Sequence, residues 1–185
     1  GHSIPLRYIR AIEAGHPLPD DNSVIAAGEI KSLFEKAGSK DLLIFLLSGV
    51  ASSLITDLPD NCTLKELNTV SDLLMSSGAD IEEVNCIRKH LSVIKGGQLV
   101  KMASGARIIS LIISDVIGDD LSVIGSGPTF PDRSTFADAM NILKSAGLTD
   151  RLPASIISHL KKGVEGKIEE TPKPGDPVFK NTANY

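Results

Sequence analysis

Two short apolar runs constrain the fold of this chain more than any other feature. LLIFLLS occupies residues 42–48 and RIISLII occupies residues 107–113, and polar residues or glycine bound both runs. Neither approaches the roughly 20 apolar residues that a membrane-spanning helix needs. Short, mainly apolar runs of this length are typical of strands buried on both faces of a parallel sheet. We therefore expect two central parallel strands covered by helices on both sides.

Segments with helical periodicity separate and follow the two runs. Apolar residues recur every three or four positions in five of them, residues 22–38, 63–78, 80–91, 134–147 and 153–163. Thr63 with Glu66, and Asp80 with Glu83, have the spacing of N-terminal capping boxes. A short helix is also expected near residues 98–103. Helices that alternate with buried strands predict an α/β fold, a three-layer Rossmann-like sandwich with a mostly parallel sheet.

The length of the chain, 185 residues, suits one domain. We assign residues 1–162 to an α/β large domain. From Gly163 onward the helical periodicity ends, and proline and glycine become frequent. Residues 163–185 are therefore expected to form an extended, partly mobile arm.

Composition argues against several classes of function. The net charge is −4 and no basic stripe is present, so a polyanionic partner such as nucleic acid is not expected. Aromatic residues make up only 4% of the chain, which leaves few stacking platforms for single-stranded nucleic acid. The two cysteines lack C-x-x-C spacing and are expected to be free thiols in a reducing compartment. With no apolar span and no visible signal peptide, we predict a cytoplasmic protein that does not contact membranes.

Three acidic residues follow the second apolar run, and their crowding calls for a cation. They are Asp115, Asp119 and Asp120, and Gly118 permits a tight turn between them. Carboxylates aimed by the end of a rigid strand suit Mg²⁺, which prefers oxygen ligands and keeps waters and substrate phosphates. The alternative is ordinary turn chemistry with a helix cap.

The first apolar run is also followed by a polar loop, SGVASSL, which suits an anion. Ser48, Gly49 and Ser52 supply hydroxyl groups and a flexible backbone, and the free N–H groups of an ensuing helix would bind an anion. Ligands of parallel sheets bind at the carboxyl ends of the strands, so this loop and the acidic loop are expected to meet. The alternative is an ordinary strand-to-helix turn. No dinucleotide fingerprint or Walker loop is present.

Two further stretches offer groups for phosphate. Arg88 and Lys95 precede the pair Gly96-Gly97, where the backbone can approach a phosphate closely. A solvated basic helix end is the alternative for this stretch. The stretch SVIGSGPT supplies small donors, namely Ser126, Gly127 and Thr129.

Taken together, these stretches resemble the glycerate 2-kinases, the MOFRL-type class that is sometimes labelled hydroxypyruvate reductases. Two long segments carry the resemblance, SSGADIEEVNCIRKHLSVIKGG at residues 76–97 and LIISDVIGDDLSVIGSGPTFPD at residues 111–132. Shorter matching stretches are IEAGHPLPD, LLSG, TFADAMNIL and ETPKPGDP. The matches follow in order over nearly the whole chain.

The resemblance implies transfer of the γ-phosphoryl group of ATP to the 2-hydroxyl of D-glycerate, giving 2-phosphoglycerate, with Mg²⁺ as cofactor. It implies a cleft between a large Rossmann-like domain and a smaller C-terminal domain. The expected catalytic residues are Asp115, Asp119, Arg88 and Lys95, of which Asp115 and Asp119 hold the metal. The residues expected to bind substrate or phosphate are Ser48, Gly49, Ser52, Asn85, Gly96, Gly97, Ser126, Gly127 and Thr129. The partner is the small molecule D-glycerate, and a homodimer is left open.

The chain departs from the family pattern in two ways. The family usually has a GGGSA loop after the first strand, whereas side chains at Val50 and Ala51 would here restrict φ. The family also has an upstream GKA segment with an important lysine and a C-terminal domain with a functional arginine, and this sequence contains neither. We expect residues 1–185 to fold but to be inactive alone as a kinase. A hydroxypyruvate or glycerate dehydrogenase and a non-catalytic anion-binding module are the alternatives.

Overall fold

A computed structural model describes residues 6–185. The helices within this range are α1 (Asp21–Lys36), α2 (Ala51–Leu54), α3 (Leu64–Ser77), α4 (Ile81–His90), α5 (Gln98–Met102), α6 (Phe136–Ser145) and α7 (Ala154–Val164). The strands are β1 (Leu42–Ser48), β2 (Arg107–Ile113) and β3 (Thr182–Asn184), and 3₁₀ turns occupy Ile124–Ser126 and Pro177–Asn181. Over residues 6–185, the helices are too short or too polar to cross a membrane.

Helices α3 and α4 begin at the caps that the sequence predicts. The Thr63 hydroxyl accepts a hydrogen bond from the N–H of Glu66, and the Glu66 carboxylate accepts one from the N–H of Thr63. Asp80 and Glu83 form the same reciprocal pair at the start of α4. These pairs satisfy N–H groups that would otherwise have no partner in the first helical turn, so both capping boxes are confirmed.

The sheet has the order β1-β2-β3, and both pairings are parallel. The register of the first pair runs from Leu42 opposite Arg107 to Ser48 opposite Ile113. Parallel strands require a crossover, and the segment from α2 to α5 supplies it between β1 and β2. The predicted α/β fold with a parallel sheet is confirmed.

The structure corrects the expectation that β1 and β2 are buried on both faces. Alternate residues of β1 point away from the helices, and Leu42, Ile44 and Leu46 are 52%, 62% and 71% exposed. Leu111 and Ile113 of β2 are likewise 44% and 74% exposed. We call the surface formed by these five side chains the open sheet face. Within residues 6–185, helices therefore cover one face of the sheet, and the second outer layer of the expected sandwich is missing.

The buried apolar side chains form two clusters. The helical core lies among α3, α4, α6 and α7, and its fully buried members include Leu74, Ile87, Leu143, Ile156 and Leu160. The sheet core lies between the inner face of the sheet and helices α1 and α5, with Phe34, Ile94, Leu99 and Ile108 at its centre. Helix α4 belongs to the helical core, while the turn that follows it enters the sheet core.

Residues 163–185, expected to be a mobile arm, pack against the rest of the chain. Helix α7 continues to Val164, and β3 adds the third strand of the sheet beside β2. Between them, the Thr171 hydroxyl donates to Asp132 Oδ2 at 3.0 Å, and Asp132 also accepts from Lys89 Nζ of α4 at 3.2 Å. A strand of three residues without periodicity gives little signal in a sequence. The assignment of residues 1–162 to a large domain that leads toward a second one stays a prediction.

Candidate active site at the strand ends

The loops after β1 and β2 meet, as the parallel sheet predicts. Ser48 and Ile113 are register partners, and Asp115 lies two residues beyond β2. The Asp115 carboxylate lies directly against Gly49, because a β-carbon built on Gly49 would be only 1.7 Å from Asp115 Oδ1. Two atoms cannot approach so closely, so position 49 must be glycine if Asp115 is to keep this place.

A cavity of about 360 Å³ opens beside this contact. Its polar lining combines the strand-end loops with α4, namely Gly49, Ser52, Asn85, Arg88 and Asp115. Its apolar lining includes Ile81, Val116, Val123 and Ile124. A volume of this size, with few polar groups among apolar ones, suits a small molecule. Five of the predicted site residues therefore share one cavity.

Among residues 6–185, Arg88 is the only cationic side chain in the lining of this cavity. Burial lowers the pKa of its guanidinium, because the charged form loses contact with water. Within residues 6–185, Arg88 makes no ion pair and no side-chain hydrogen bond. Arg88 is half-buried, whereas its neighbour Lys89 is buried and pairs with Asp132. A half-buried guanidinium that has no acceptor within the described residues is a candidate site for an anion.

Lys95 lies deeper than the sequence suggests, below α2. Its Nζ donates to the carbonyl of Ile55 at 3.0 Å, at the C-terminal end of α2. Complete burial lowers the pKa of Lys95 to about 8, although the Asp57 carboxylate opposes the shift. Lys95 and Arg88 both line a second, smaller cavity of about 50 Å³, together with Ser52 and Asp57. Lys95 therefore supports the segment that carries Ser52.

A chain of hydrogen bonds fixes the cavity wall between the loops. Ser126 Oγ donates to Asn85 Oδ1 at 2.7 Å, and Ser52 Oγ lies 3.0 Å from Ser126 Oγ. Because the Ser126 proton points to Asn85, Ser52 is the donor in the second bond. Asn85 in turn donates from Nδ2 to the carbonyl of Ile81 at 2.9 Å. Together, the buried Asn85 and Ser126 and the half-buried Ser52 hold three segments of the wall in one arrangement.

The backbone N–H groups of Gly96 and Gly97 donate hydrogen bonds within the protein. The N–H of Gly96 donates to the carbonyl of Ser126 at 2.9 Å, and the N–H of Gly97 donates to the carbonyl of Gly127 at 2.8 Å. Both amides are therefore unavailable to a phosphate. Thr129, also expected near phosphate, is buried and donates to Asn184 Oδ1 at 2.8 Å. These positions join the loops behind the site and do not face the cavity.

The structure corrects two expectations about the loop after β1, namely the anion site at the start of α2 and the backbone strain at Val50. Helix α2 has only four residues, which is too short for an anion site at its N-terminus, and the exposed Ser48 does not line the cavity. Val50, which departs from the glycine of the family loop, has φ −69° and ψ −6°. Any residue adopts these angles, so the side chain at position 50 causes no strain. The essential glycine of the loop is Gly49.

The three acids after β2 have different surroundings. Asp120 caps the next turn by accepting from the N–H of Ser122 at 2.8 Å, and hydrogen bonds from Ser122 hold the pKa of Asp120 below its usual value. Asp119 is in the turn itself, with φ 53°. Only Asp115 lines the cavity. In the described part of the chain, no group of three or more His, Cys, Asp or Glu side chains could hold a metal ion.

Two residues near the site were not among the predicted site residues. Asp57 accepts from Ser92 Oγ at 2.5 Å and from the N–H of Val93, which fixes the turn after α4. His16 Nδ1 lies 3.0 Å from Ser53 Oγ, next to the smaller cavity. The proline- and glycine-rich setting of His16 was a usable signal. Asp57 had none, since its partners are 35 and 36 residues away.

Comparison with known protein families shows which family the chain belongs to. A family described as a domain of unknown function, DUF4147, matches residues 1–161. The chain belongs to the DUF4147 family. Glycerate 2-kinase from Pyrococcus horikoshii is 42% identical over 181 residues, which cover 98% of this chain and 41% of that protein. The DUF4147 match and this relative agree with the resemblance that the motifs indicate.

Two crystal structures share the fold of this DUF4147 chain. A protein from Pyrococcus horikoshii OT3 aligns with a TM-score of 0.93 and 42% identity, covering 100% of this chain and 42% of that one. Glycerate kinase from Thermotoga maritima aligns with a TM-score of 0.86 and 35% identity, covering 99% and 41%. The chain thus spans about two fifths of the length of the relatives that it matches.

Proposed function

We propose that this chain forms part of a glycerate 2-kinase, which transfers the γ-phosphoryl group of ATP to the 2-hydroxyl of D-glycerate and yields 2-phosphoglycerate. One observation carries the proposal: an unpaired guanidinium, Arg88, and a strand-end carboxylate, Asp115, line the same small cavity. The names of relatives that are about 40% identical support it. Phosphoryl transfer depends mainly on positioning and charge neutralisation, and a cavity with opposite charges at fixed places suits both.

Asp115 and Asp119 are the proposed ligands of Mg²⁺. Asp115 lines the cavity and Asp119 follows on the next turn, so two carboxylates are available at one strand end. Magnesium typically takes only one or two protein carboxylates and fills its remaining positions with water and substrate phosphates. The donor set therefore fits this ion. When bound, Mg²⁺ would neutralise charge on the phosphates of ATP.

The remaining residues have supporting roles in the proposal. Lys95, through its bond to the Ile55 carbonyl, holds α2 and hence Ser52 in place, and its positive charge adds to that of Arg88. Ser52, Asn85 and Ser126 fix the wall opposite Asp115. Gly96, Gly97, Gly127 and Thr129 join the loops behind this wall. We also propose that the enzyme acts in the cytoplasm, and that the open sheet face would support a homodimer if nothing else covers it.

An ADP-release assay tests the proposal. The full-length protein and residues 1–185 are each incubated with ATP, Mg²⁺ and D-glycerate, with glycerate omitted as the blank. We expect glycerate-dependent ADP release from the full-length protein only. In the proposal, a second domain supplies the other wall of the cavity, and phosphoryl contacts left open to water without it are much weaker. Turnover by residues 1–185 within ten-fold of the full-length protein would contradict the two-domain part of the proposal.

The dehydrogenase alternative has its own measurement. NADH oxidation in the presence of hydroxypyruvate, without glycerate-dependent ADP release, would replace the kinase by an oxidoreductase. Glycerate binding without either reaction in the full-length protein would instead identify a non-catalytic anion-binding module. The dehydrogenase gains no support from the cavity, because its lining within residues 6–185 contains no glycine-rich dinucleotide loop.

A further inference from the structure

The charges on α4 and the turn after it are not equivalent. Lys89 donates to Asp132, and Lys95 donates to the Ile55 carbonyl. Arg88, between them in sequence, lines both cavities but has neither an ion-pair partner nor a side-chain hydrogen bond within residues 6–185. The nearby Asp57 carboxylate is occupied by Ser92 and Val93. Arg88 is therefore the cation in this region that has no partner among residues 6–185.

We propose that Arg88 binds the carboxylate of the phosphoryl acceptor, and that it thereby selects a hydroxy acid over a neutral polyol. The inference rests on the proposed kinase function, and it names the Arg88 guanidinium as the group that determines which class of acceptor the kinase binds. A planar guanidinium matches the two oxygens of a carboxylate with two parallel N–H donors, which a lysine cannot reproduce. Desolvation of Arg88 strengthens such a pair once the acid has displaced water.

The position of Arg88 favours the acceptor over the nucleotide. In the proposed function, Mg²⁺ at Asp115 neutralises the phosphates of ATP, which leaves Arg88 in the lining of the same cavity for the acceptor. Arg88 extends from this cavity into the smaller one of about 50 Å³, which suits a compact group and not a chain of phosphates. A small hydroxy acid that places its carboxylate on Arg88 can direct its hydroxyl toward Asp115. The apolar residues Ile81 and Val123 limit the size of the remaining part of the hydroxy acid.

Three variants of the full-length protein test this role. Arg88→Ala removes the guanidinium, and Arg88→Lys keeps a positive charge but loses the two-pronged geometry. Arg151→Ala, on the exposed loop between α6 and α7, is the matched control. Calorimetry measures binding of D-glycerate and of its uncharged amide, and steady-state kinetics give KM for D-glycerate and for ATP. Thermal melts check folding.

We expect Arg88→Ala to weaken D-glycerate binding by about ten- to a hundred-fold, the scale of a hydrogen bond to a charged group. KM for ATP should change by less than about two-fold, since the nucleotide is not the partner. Arg88→Lys should lie between wild type and Arg88→Ala, and Arg151→Ala should match wild type. The preference for the acid over its amide should disappear in Arg88→Ala, and this ratio does not depend on how much of the variant is folded.

Two results would overturn the inference. One is an unchanged preference for the acid in Arg88→Ala. The other is a rise in KM for ATP with the KM for glycerate unchanged, which would assign Arg88 to the nucleotide phosphates. Failure of the proposed function has a different signature, because a wild-type protein without kinase activity can still bind D-glycerate. The calorimetric preference then still reports on Arg88.

Discussion

The helical core and the open sheet face show two different states of apolar side chains in one chain. Leu143, Ile156 and Leu160 of the helical core are completely buried, since α6 and α7 close over the cluster from α3 and α4. Leu46 and Ile113 of the open sheet face are apolar as well, yet they are largely exposed. The helical core seals itself with local elements, whereas burial of the sheet requires a layer that residues 6–185 do not contain. An apolar strand in a sequence thus indicates that its side chains need to be buried, but it does not show which part of the protein buries them.

Truncation of one leucine in each region should show the difference between the two regions most clearly. Leu160→Ala should lower the free energy of unfolding by about 2–5 kcal/mol, because the cavity left in a fully packed core cannot collapse completely. Leu46→Ala, the same change at a side chain that is 71% exposed, should cost less than about 0.5 kcal/mol. Urea unfolding of residues 1–185 measures the loss of unfolding free energy in each variant. Equal, large losses would mean that the open sheet face is covered in solution, by a second copy of the chain.

The next largest effect is expected where the two strand ends meet. Gly49→Ala places a methyl group on the Asp115 carboxylate, so either the acid or the loop must move. A displacement of about 1 Å at a reacting centre can cost about 100-fold in rate, and we expect a loss of that order in kcat. Gly28→Ala on α1 is the control, since no atom lies within 4 Å of the added methyl group. Full activity in Gly49→Ala would show that the position of Asp115 is irrelevant to catalysis.

Asp115→Asn separates chemistry from folding at the same place. The amide keeps the shape of the side chain but removes a proposed metal ligand, so activity or magnesium affinity should fall by about ten-fold or more. Thermal melts should be unchanged, because Asp115 is exposed and belongs to no ion pair within the described residues. Activity is measured against Mg²⁺ concentration. A collapsed melting temperature with normal kinetics would reassign Asp115 to a purely structural role.

The smallest expected effect is a pH dependence of stability that arises from two histidines beside the helical core. Burial lowers the pKa of His90 and of His159 below 6.5, although hydrogen bonds to Cys86 and His90 carbonyls and nearby acids oppose it. As pH falls below 6.5, the unfolded chain therefore takes up protons before the folded one, and stability declines until the lowered folded pKa is reached. The carboxylates facing His90 are Asp132 and Glu170, with Lys173 beside Glu170.

His159→Asn should flatten this decline, because one of the two buried imidazoles is then absent. Melting temperatures between pH 7.5 and about pH 5 test the expectation. Leu46→Ala, remote from both histidines, serves as the control and should keep the wild-type slope. A variant that loses stability on acidification as steeply as wild type would show that His159 does not contribute.

Local features of the sequence were enough to predict the helices and the meeting of the loops. Thr63 and Asp80 cap their helices through residues only three positions away, and the parallel sheet brings Gly49 and Asp115 together. What could not be predicted depends on distant partners. The amides of Gly96 and Gly97 appear free in the sequence, yet carbonyls 30 residues later accept from them. The exposure of Leu46 is equally invisible, since an apolar strand has the same sequence with or without a covering layer.

The third strand has a practical consequence for anyone who shortens this chain. A version that ends at residue 162, where the helical periodicity stops, would lose β3 and leave β2 with a free edge. Unpaired backbone groups on an apolar strand are a template for pairing between molecules and hence for fibrils. Such a version would also leave the buried Thr129 without Asn184 as its acceptor. The three residues of β3 thus cover one edge of the apolar strand β2.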